Sequence, residues 1–257
     1  MQLSLVQQRI VWGDKVKNLA TFEAEAKAHY GKTDLLVLPE MFSTGFCADK
    51  IELAESVDGE TISTVKRWAK EGDFAIVGSF MCADSGKLYN RAFFCQPNGC
   101  IDYADKRHLF VGFEQRFFTQ GNQLLDVTFR GVKFRLLVCF DVRFPVWSRN
   151  ASGYDYDVLL YVANWPKDRI DAWDALLKAR AIENQAYVCG VNVVGEDAYG
   201  FHHNGHSSLL DMYGRQIVTF SDDETATKTG KIDLAKLNRL REKFMFWQSN
   251  DKFQIKE

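Results

Sequence analysis

The amino-acid sequence predicts an α/β protein folded as one domain over residues 1-257. Three observations point there. Short apolar runs rich in β-branched residues alternate with longer amphipathic stretches. Turn residues such as Pro97-Asn98-Gly99 and Arg130-Gly131 fall between apolar runs. No repeat, low-complexity tract or Gly/Ser/Pro-rich linker interrupts the alternation.

Taken in order, Leu3-Val6 reads as a short apolar strand, Lys15 to His29 as a helix, and Leu35-Val37 as a buried strand. Thr61-Lys70 has helical spacing and Phe74-Phe80 is again a strand. Between Leu88 and Tyr103 the pattern becomes a hairpin, with Phe93-Phe94-Cys95 and Ile101-Tyr103 on either side of Pro97-Asn98-Gly99. Leu124-Phe129 and Val132-Cys139 are two strands joined through Arg130-Gly131, which suits a two-residue turn. Pro145 opens a short helix, because proline costs nothing where the N–H would be unpaired anyway. The second half repeats the alternation: strand Val158-Val162, helix Ile170-Asn184, strands Tyr187-Val193, Ser207-Asp211 and Gln216-Phe220, and a last helix from Leu234 to Phe244. In the long helix Trp173, Leu176, Leu177 and Ala181 share one face.

Composition excludes several classes of function. Hydrophobic residues make up 46% and charged residues 26%, as in ordinary globular proteins rather than disordered or fibrous ones. The net charge of −2 comes from 32 basic and 34 acidic residues with no block of either sign, so neither nucleic acid nor a membrane surface is expected as a partner. Met1 to Arg9 lacks the basic start and apolar run of a signal peptide, and no later stretch is apolar enough to span a bilayer. A cytoplasmic protein is expected. The six cysteines then read as reduced thiols, and none lies close enough to another for a C-x-x-C pair.

No phosphate-binding glycine loop and no dinucleotide fingerprint is present. Gly205-His206-Ser207-Ser208-Leu209 begins like a serine-hydrolase elbow but has Leu209 where the second glycine belongs. His202 and His206 could bind a metal only if the segment were helical, and its glycines favour a polar loop. Strand ends are more informative, because ligands in open α/β sheets gather outside the carboxyl ends of strands. Leu35-Leu36-Val37-Leu38 runs into Pro39-Glu40, placing a carboxylate where a buried strand emerges. Val132-Cys139 runs into Phe140-Asp141-Val142-Arg143-Phe144-Pro145, a strand turning sharply toward a helix. A thiol there would meet the positive end of that helix, which favours a thiolate, and its free N–H groups, which suit an oxyanion. Lys106 follows the hairpin. Taken singly, each has an ordinary reading: a capping glutamate, a buried cysteine, a solvated lysine.

Together they resemble the nitrilase superfamily of carbon–nitrogen hydrolases, whose triad is Glu, Lys and Cys in that order. Leu38-Pro39-Glu40-Met41-Phe42 is similar to the family's glutamate motif, Lys106-Arg107-His108-Leu109-Phe110 to its lysine motif, and Cys139-Phe140-Asp141-Val142-Arg143-Phe144-Pro145 to its nucleophile motif. Phe113 to Gly121 resembles the segment with a second structural glutamate, which maps onto Glu114; Gln120 departs from the usual proline. Gly205 to Gly214 matches a further pattern, with Met212 in place of proline. The resemblance extends to about Phe246. It implies a four-layer α-β-β-α sandwich, assembled as at least a homodimer. Ala163-Asn164-Trp165-Pro166 and Lys178 to Tyr187 look most like the ω-amidase branch, which hydrolyses the terminal amide of dicarboxylate monoamides such as 2-oxoglutaramate and 2-oxosuccinamate.

The resemblance further implies that Glu40 carries the proton, that Cys139 attacks the amide carbonyl, and that Lys106 and the Phe140 N–H hold the oxyanion, with no metal or organic cofactor. Glu114 would orient Lys106. Asn164 is placed beside the nucleophile, followed by Trp165 against the substrate. Arg143 offers a planar fork for a substrate carboxylate, or else braces the elbow by pairing with Asp141. Phe42, Phe110 and Phe113 read as plain core. Other small amides within the family are alternatives: N-carbamoyl amino acids, deaminated glutathione, or nitriles. A non-catalytic binding protein is disfavoured, since all three triad residues are present.

Overall fold

The computed structural model describes residues 1–150 and 153–255. In chain order the elements are β1 (Gln2–Gln7), α1 (Lys15–Ala28), β2 (Leu35–Val37), α2 (Glu60–Gly72), β3 (Ala75–Asp84), β4 (Lys87–Cys95), β5 (Ile101–Asp105), β6 (Leu125–Phe129), β7 (Val132–Val138), α3 (Pro145–Ser148), β8 (Val158–Val162), α4 (Ile170–Asn184), β9 (Tyr187–Val191), β10 (Val194–Glu196), β11 (His202–Asn204), β12 (Ser208–Leu210), β13 (Gln216–Thr219), β14 (Ala226–Lys231) and α5 (Leu234–Lys243).

Two six-stranded sheets form, ordered β14-β1-β2-β3-β4-β5 and β13-β12-β9-β8-β7-β6. In each, three neighbouring strands run parallel: β1, β2 and β3 in one, β7, β8 and β9 in the other. The period of two decides which side chains fill which layer. Leu35, Val37, Ala75, Val77, Ala92 and Phe94 face the second sheet and share a core with Phe134, Leu136 and Val138. The intervening Leu36, Leu38, Ile76 and Phe93 face outward and pack against Leu19 and Phe22 of α1 and Ile62, Val65 and Trp68 of α2. Helix α4 lies on β9 and β12 through Trp173 and Leu177. The layers are therefore α-β-β-α, as the family resemblance implies. Each large side chain sealed in these layers contributes about 1.5–3 kcal/mol of burial free energy.

The expected strands and helices form with ends shifted by a few residues, and three local expectations change. The Ala226–Lys231 segment, polar and without an apolar run, is an edge strand paired antiparallel with β1. His202–Asn204 is not a loop: it pairs as β11 with β10, so that His203 points inward while His202 faces solvent. Strand β7 stops at Val138, and Cys139 opens a 3-10 turn, Cys139–Arg143, in place of ending the strand. The turn between β6 and β7 is as expected: Arg130 and Gly131 both have positive φ, 48° and 77°, the twist a two-residue hairpin requires.

Candidate active site

The carboxyl ends of β2, β7 and β8 meet at one place, each belonging to a parallel set whose strands point the same way. Beyond β2, Leu38 still donates its N–H to Val77 O at 2.8 Å, and two residues later Glu40 turns fully into the interior. Beyond β7, Cys139 adopts φ 45°, a left-handed conformation that costs a β-carbon residue on the order of 1–3 kcal/mol and persists where the surroundings impose it. Asp141 supplies part of that constraint, since its side chain accepts from Val138 N at 3.0 Å and from His108 N and Nδ1 at 3.0 and 2.8 Å. Beyond β8, Asn164 donates its N–H to Glu40 Oε2 at 2.8 Å and its side-chain amide to Glu40 O at 2.6 Å.

Lys106 reaches the same point from the chain after β5. Its carbonyl accepts from Gly121 N at 2.9 Å, and Gly121 must lack a side chain because a β-carbon there would lie 2.0 Å from Asp105 O. The ammonium sits between two carboxylates, 2.9 Å from Glu40 Oε1 and 2.8 Å from Glu114 Oε2. Phe110 N donates to Glu114 Oε2 at 2.8 Å. Asn90 on β4 closes the group by donating to Glu40 Oε1 at 2.8 Å and to Glu114 Oε1 at 3.0 Å. Two carboxylates, one ammonium and one amide are thus buried together, and nearly every polar atom is satisfied, which such a group requires to be tolerated inside a protein.

Electrostatics follow from burial and proximity. Burial alone would pull the Lys106 ammonium down, but Glu114 and Glu40 outweigh it, so its pKa lies above the ordinary lysine value. Burial pushes Glu114 up, with Glu40 adding to the effect while Lys106 and Asn90 oppose it. Burial also pushes the Cys139 thiol well up, reinforced by Glu40 and opposed by Lys106. The expectation of a thiolate favoured by a helix N-terminus is therefore corrected. The 3-10 turn and the four-residue α3 supply too little field to offset burial, and the resting group is a thiol beside a carboxylate.

Cys139, Glu40, Lys106 and Asn164 open onto a cavity of about 650 Å³ that Phe140, Arg143 and Trp165 also line. Phe110 and Phe113, expected as core, are half-buried and line it too, whereas Phe42 is core. Arg143 does not pair with Asp141, whose oxygens are taken by His108 and the Val138 N–H. Its guanidinium lies 5.0 Å from the Trp165 ring centre and 6.0 Å from that of Phe140. The elbow-brace alternative is thereby set aside. Trp165 is held by Asn192, which accepts from its N–H at 2.7 Å and donates to its carbonyl at 2.9 Å.

Asn90 and Asn192 were not singled out from the sequence. Asn90 carried a signal, because Leu88, Asn90, Ala92 and Phe94 share one face of a strand and only Asn90 is polar. Asn192 had none. The six cysteines are free thiols, of which Cys100 alone is exposed.

A buried acid, ammonium and thiol at the end of a substrate-sized cavity define a cysteine hydrolase site, and the chain belongs to the carbon–nitrogen hydrolase family, whose model matches residues 2–242. Over 256 residues it is 39% identical to omega-amidase YafV of Escherichia coli, covering 99% of this chain and 98% of the relative. It is 32% identical over 245 residues to 2-oxoglutaramate amidase of Bacillus subtilis, covering 93% of each. Among solved structures, a CN-hydrolase superfamily protein of Xanthomonas campestris, with an arsenic adduct in its active site, superposes with a TM-score of 0.97 at 35% identity, covering 100% of this chain and 99% of that one.

Proposed function

We propose that this carbon–nitrogen hydrolase is an ω-amidase that cleaves the terminal amide of a dicarboxylate monoamide such as 2-oxoglutaramate or 2-oxosuccinamate, through a thioester on Cys139. The observation that carries the chemistry is the shared burial of Glu40, Lys106 and Glu114 beside the Cys139 thiol. Glu40 takes the thiol proton as sulfur attacks the amide carbonyl. The raised thiol pKa supports proton removal during attack rather than before it. Lys106 and the Phe140 N–H hold the oxyanion, and Glu40 returns the proton to the leaving nitrogen, releasing ammonia. Glu40 then deprotonates water, which attacks the thioester and frees the acid and the thiol.

Glu114 and Asn90 hold Lys106 and Glu40 in place rather than react. Asn164, whose hydrogen bonds go to Glu40, is assigned to positioning that carboxylate. Arg143, stacked over Trp165 and without a carboxylate partner among the described residues, is assigned to the distal carboxylate of the substrate. The ω-amidase and 2-oxoglutaramate amidase relatives support this choice of acyl group. We further assign residues 1-257 to one domain, acting in the cytoplasm as a homodimer, a state that light scattering of the purified protein tests.

Ammonia release from succinamate, 2-oxosuccinamate, N-carbamoyl amino acids, nitriles and neutral short amides tests the assignment. Dicarboxylate monoamides should be turned over best, and Arg143→Lys should lower their turnover more than that of butyramide, because an ammonium cannot reproduce a two-pronged grip. A wild-type preference for butyramide would remove the ω-amidase reading and leave the amide hydrolase.

A further inference from the structure

The cavity contains a second guanidinium that the proposed mechanism leaves unused. Arg169 ends the short turn Lys167–Arg169 just after Trp165-Pro166 and lines the cavity with Arg143. Its guanidinium lies 5.1 Å from the Phe110 ring centre, and Phe110 meets Phe140 edge-to-face at 5.5 Å. Arg143 in turn lies over Phe140 and Trp165. The two cations therefore flank one aromatic pair. Trp165 links them directly, with its ring beneath Arg143 and its Nε1–H donating to the Arg169 carbonyl at 2.8 Å.

Neither guanidinium has a hydrogen-bond or carboxylate partner among the described residues. Arg91, Arg135 and Arg180, also largely buried, each hold one. The cavity's own acids are already engaged. Glu40 is bound by Lys106, Asn90 and Asn164, and Asp197 accepts from Tyr199 N at 2.8 Å, Phe201 N at 2.9 Å and His203 Nε2 at 3.3 Å. Two half-buried cations on an apolar wall repel each other, and an anion between them converts that cost into binding.

We infer that Arg169 is the second arm of the carboxylate receptor, gripping the same distal carboxylate as Arg143 and thereby determining specificity for acidic over neutral amides. This rests on the ω-amidase reading. Trp165 is the positioning residue that sets the spacing of the two arms.

The test measures kcat and KM for succinamate and for butyramide, its neutral counterpart of similar length, in the wild type, Arg169→Gln, Arg169→Lys, Arg143→Lys and the Arg143→Lys/Arg169→Gln pair. Arg169→Gln should reduce the succinamate-to-butyramide ratio of kcat/KM at least tenfold, mainly through KM, and Arg169→Lys should restore part of it. Because both arms hold one carboxylate, the paired loss should fall short of the product of the single losses. An unchanged ratio, an equal fall for both substrates or strictly multiplicative losses would overturn the inference. Should Arg169→Gln not fold, weaker competitive inhibition by succinate in Arg169→Lys than in the wild type supports the inference, and equal inhibition overturns it. A wild-type enzyme indifferent to the carboxylate would instead overturn the functional reading beneath it.

Discussion

Asn90→Ala should damage both the stability and the chemistry of a site whose reacting atoms it never touches. Its single amide nitrogen donates to Glu40 Oε1 and Glu114 Oε1, and both carboxylates are fully buried. A hydrogen bond to a charged group is worth about 1.5–3 kcal/mol. Two of them from one nitrogen, with a water able to enter the vacated polar space and restore one, give an expected loss of about 2–4 kcal/mol. Glu114 also loses one of the influences that oppose its burial, so its pKa rises further and Lys106 is held less firmly. If about 1.4 kcal/mol of this reaches the transition state, kcat falls about tenfold. Urea unfolding at pH 7.5 and initial rates with succinamate measure the two quantities. A stability loss below about 0.5 kcal/mol together with an unchanged kcat would show that Asn90 does not hold the carboxylates.

Three further outcomes are expected. Glu40→Gln and Lys106→Met should each lower kcat about a hundredfold or more, and near-normal turnover in either would remove that residue from the mechanism. Lys106→Met should also cost about 3–5 kcal/mol by leaving two buried carboxylates without a counter-charge; adding Glu114→Gln should recover part of that stability, and no recovery would mean that the burden lies elsewhere. Alkaline pH should destabilise the fold, because burial pushes Cys82 up to about 11 and Cys95 up to about 12. A raised thiol stabilises fully below the unfolded value of about 8.5 and progressively less as pH rises toward the folded value, by up to about 1.4 kcal/mol per pH unit. Cys82→Ala should flatten the fall in unfolding free energy between pH 9 and pH 10.5, and an unchanged slope would contradict the assignment.

The α/β alternation was legible because most strands here are buried on both faces and stand out as apolar runs. Leu35-Leu36-Val37 and Val158 to Val162 are clear cases. Ala226–Lys231 was not, since an edge strand needs only backbone pairing with β1 and carries no apolar signature. Glu40, Lys106 and Cys139 were legible in place, but their electrostatics were not. A thiol at a turn favours thiolate only if a helix dipole outweighs burial, and that balance depends on a 3-10 turn and a Glu40 contact invisible in the sequence. Arg169 was obscured for a similar reason: Lys167-Asp168-Arg169 reads as a charged surface turn until the fold places one of its members on the cavity wall.

The central claim, an acyl group carried on Cys139, is tested most directly by acid-quenching the enzyme during turnover of succinamate and mapping its peptides by mass spectrometry. The peptide containing Cys139 should gain the mass of the substrate less ammonia, the adduct should disappear on chase with excess unlabelled buffer, and Cys139→Ala should show neither adduct nor turnover. An adduct on any other residue, or ammonia release by Cys139→Ala at more than a trace of the wild-type rate, would contradict it.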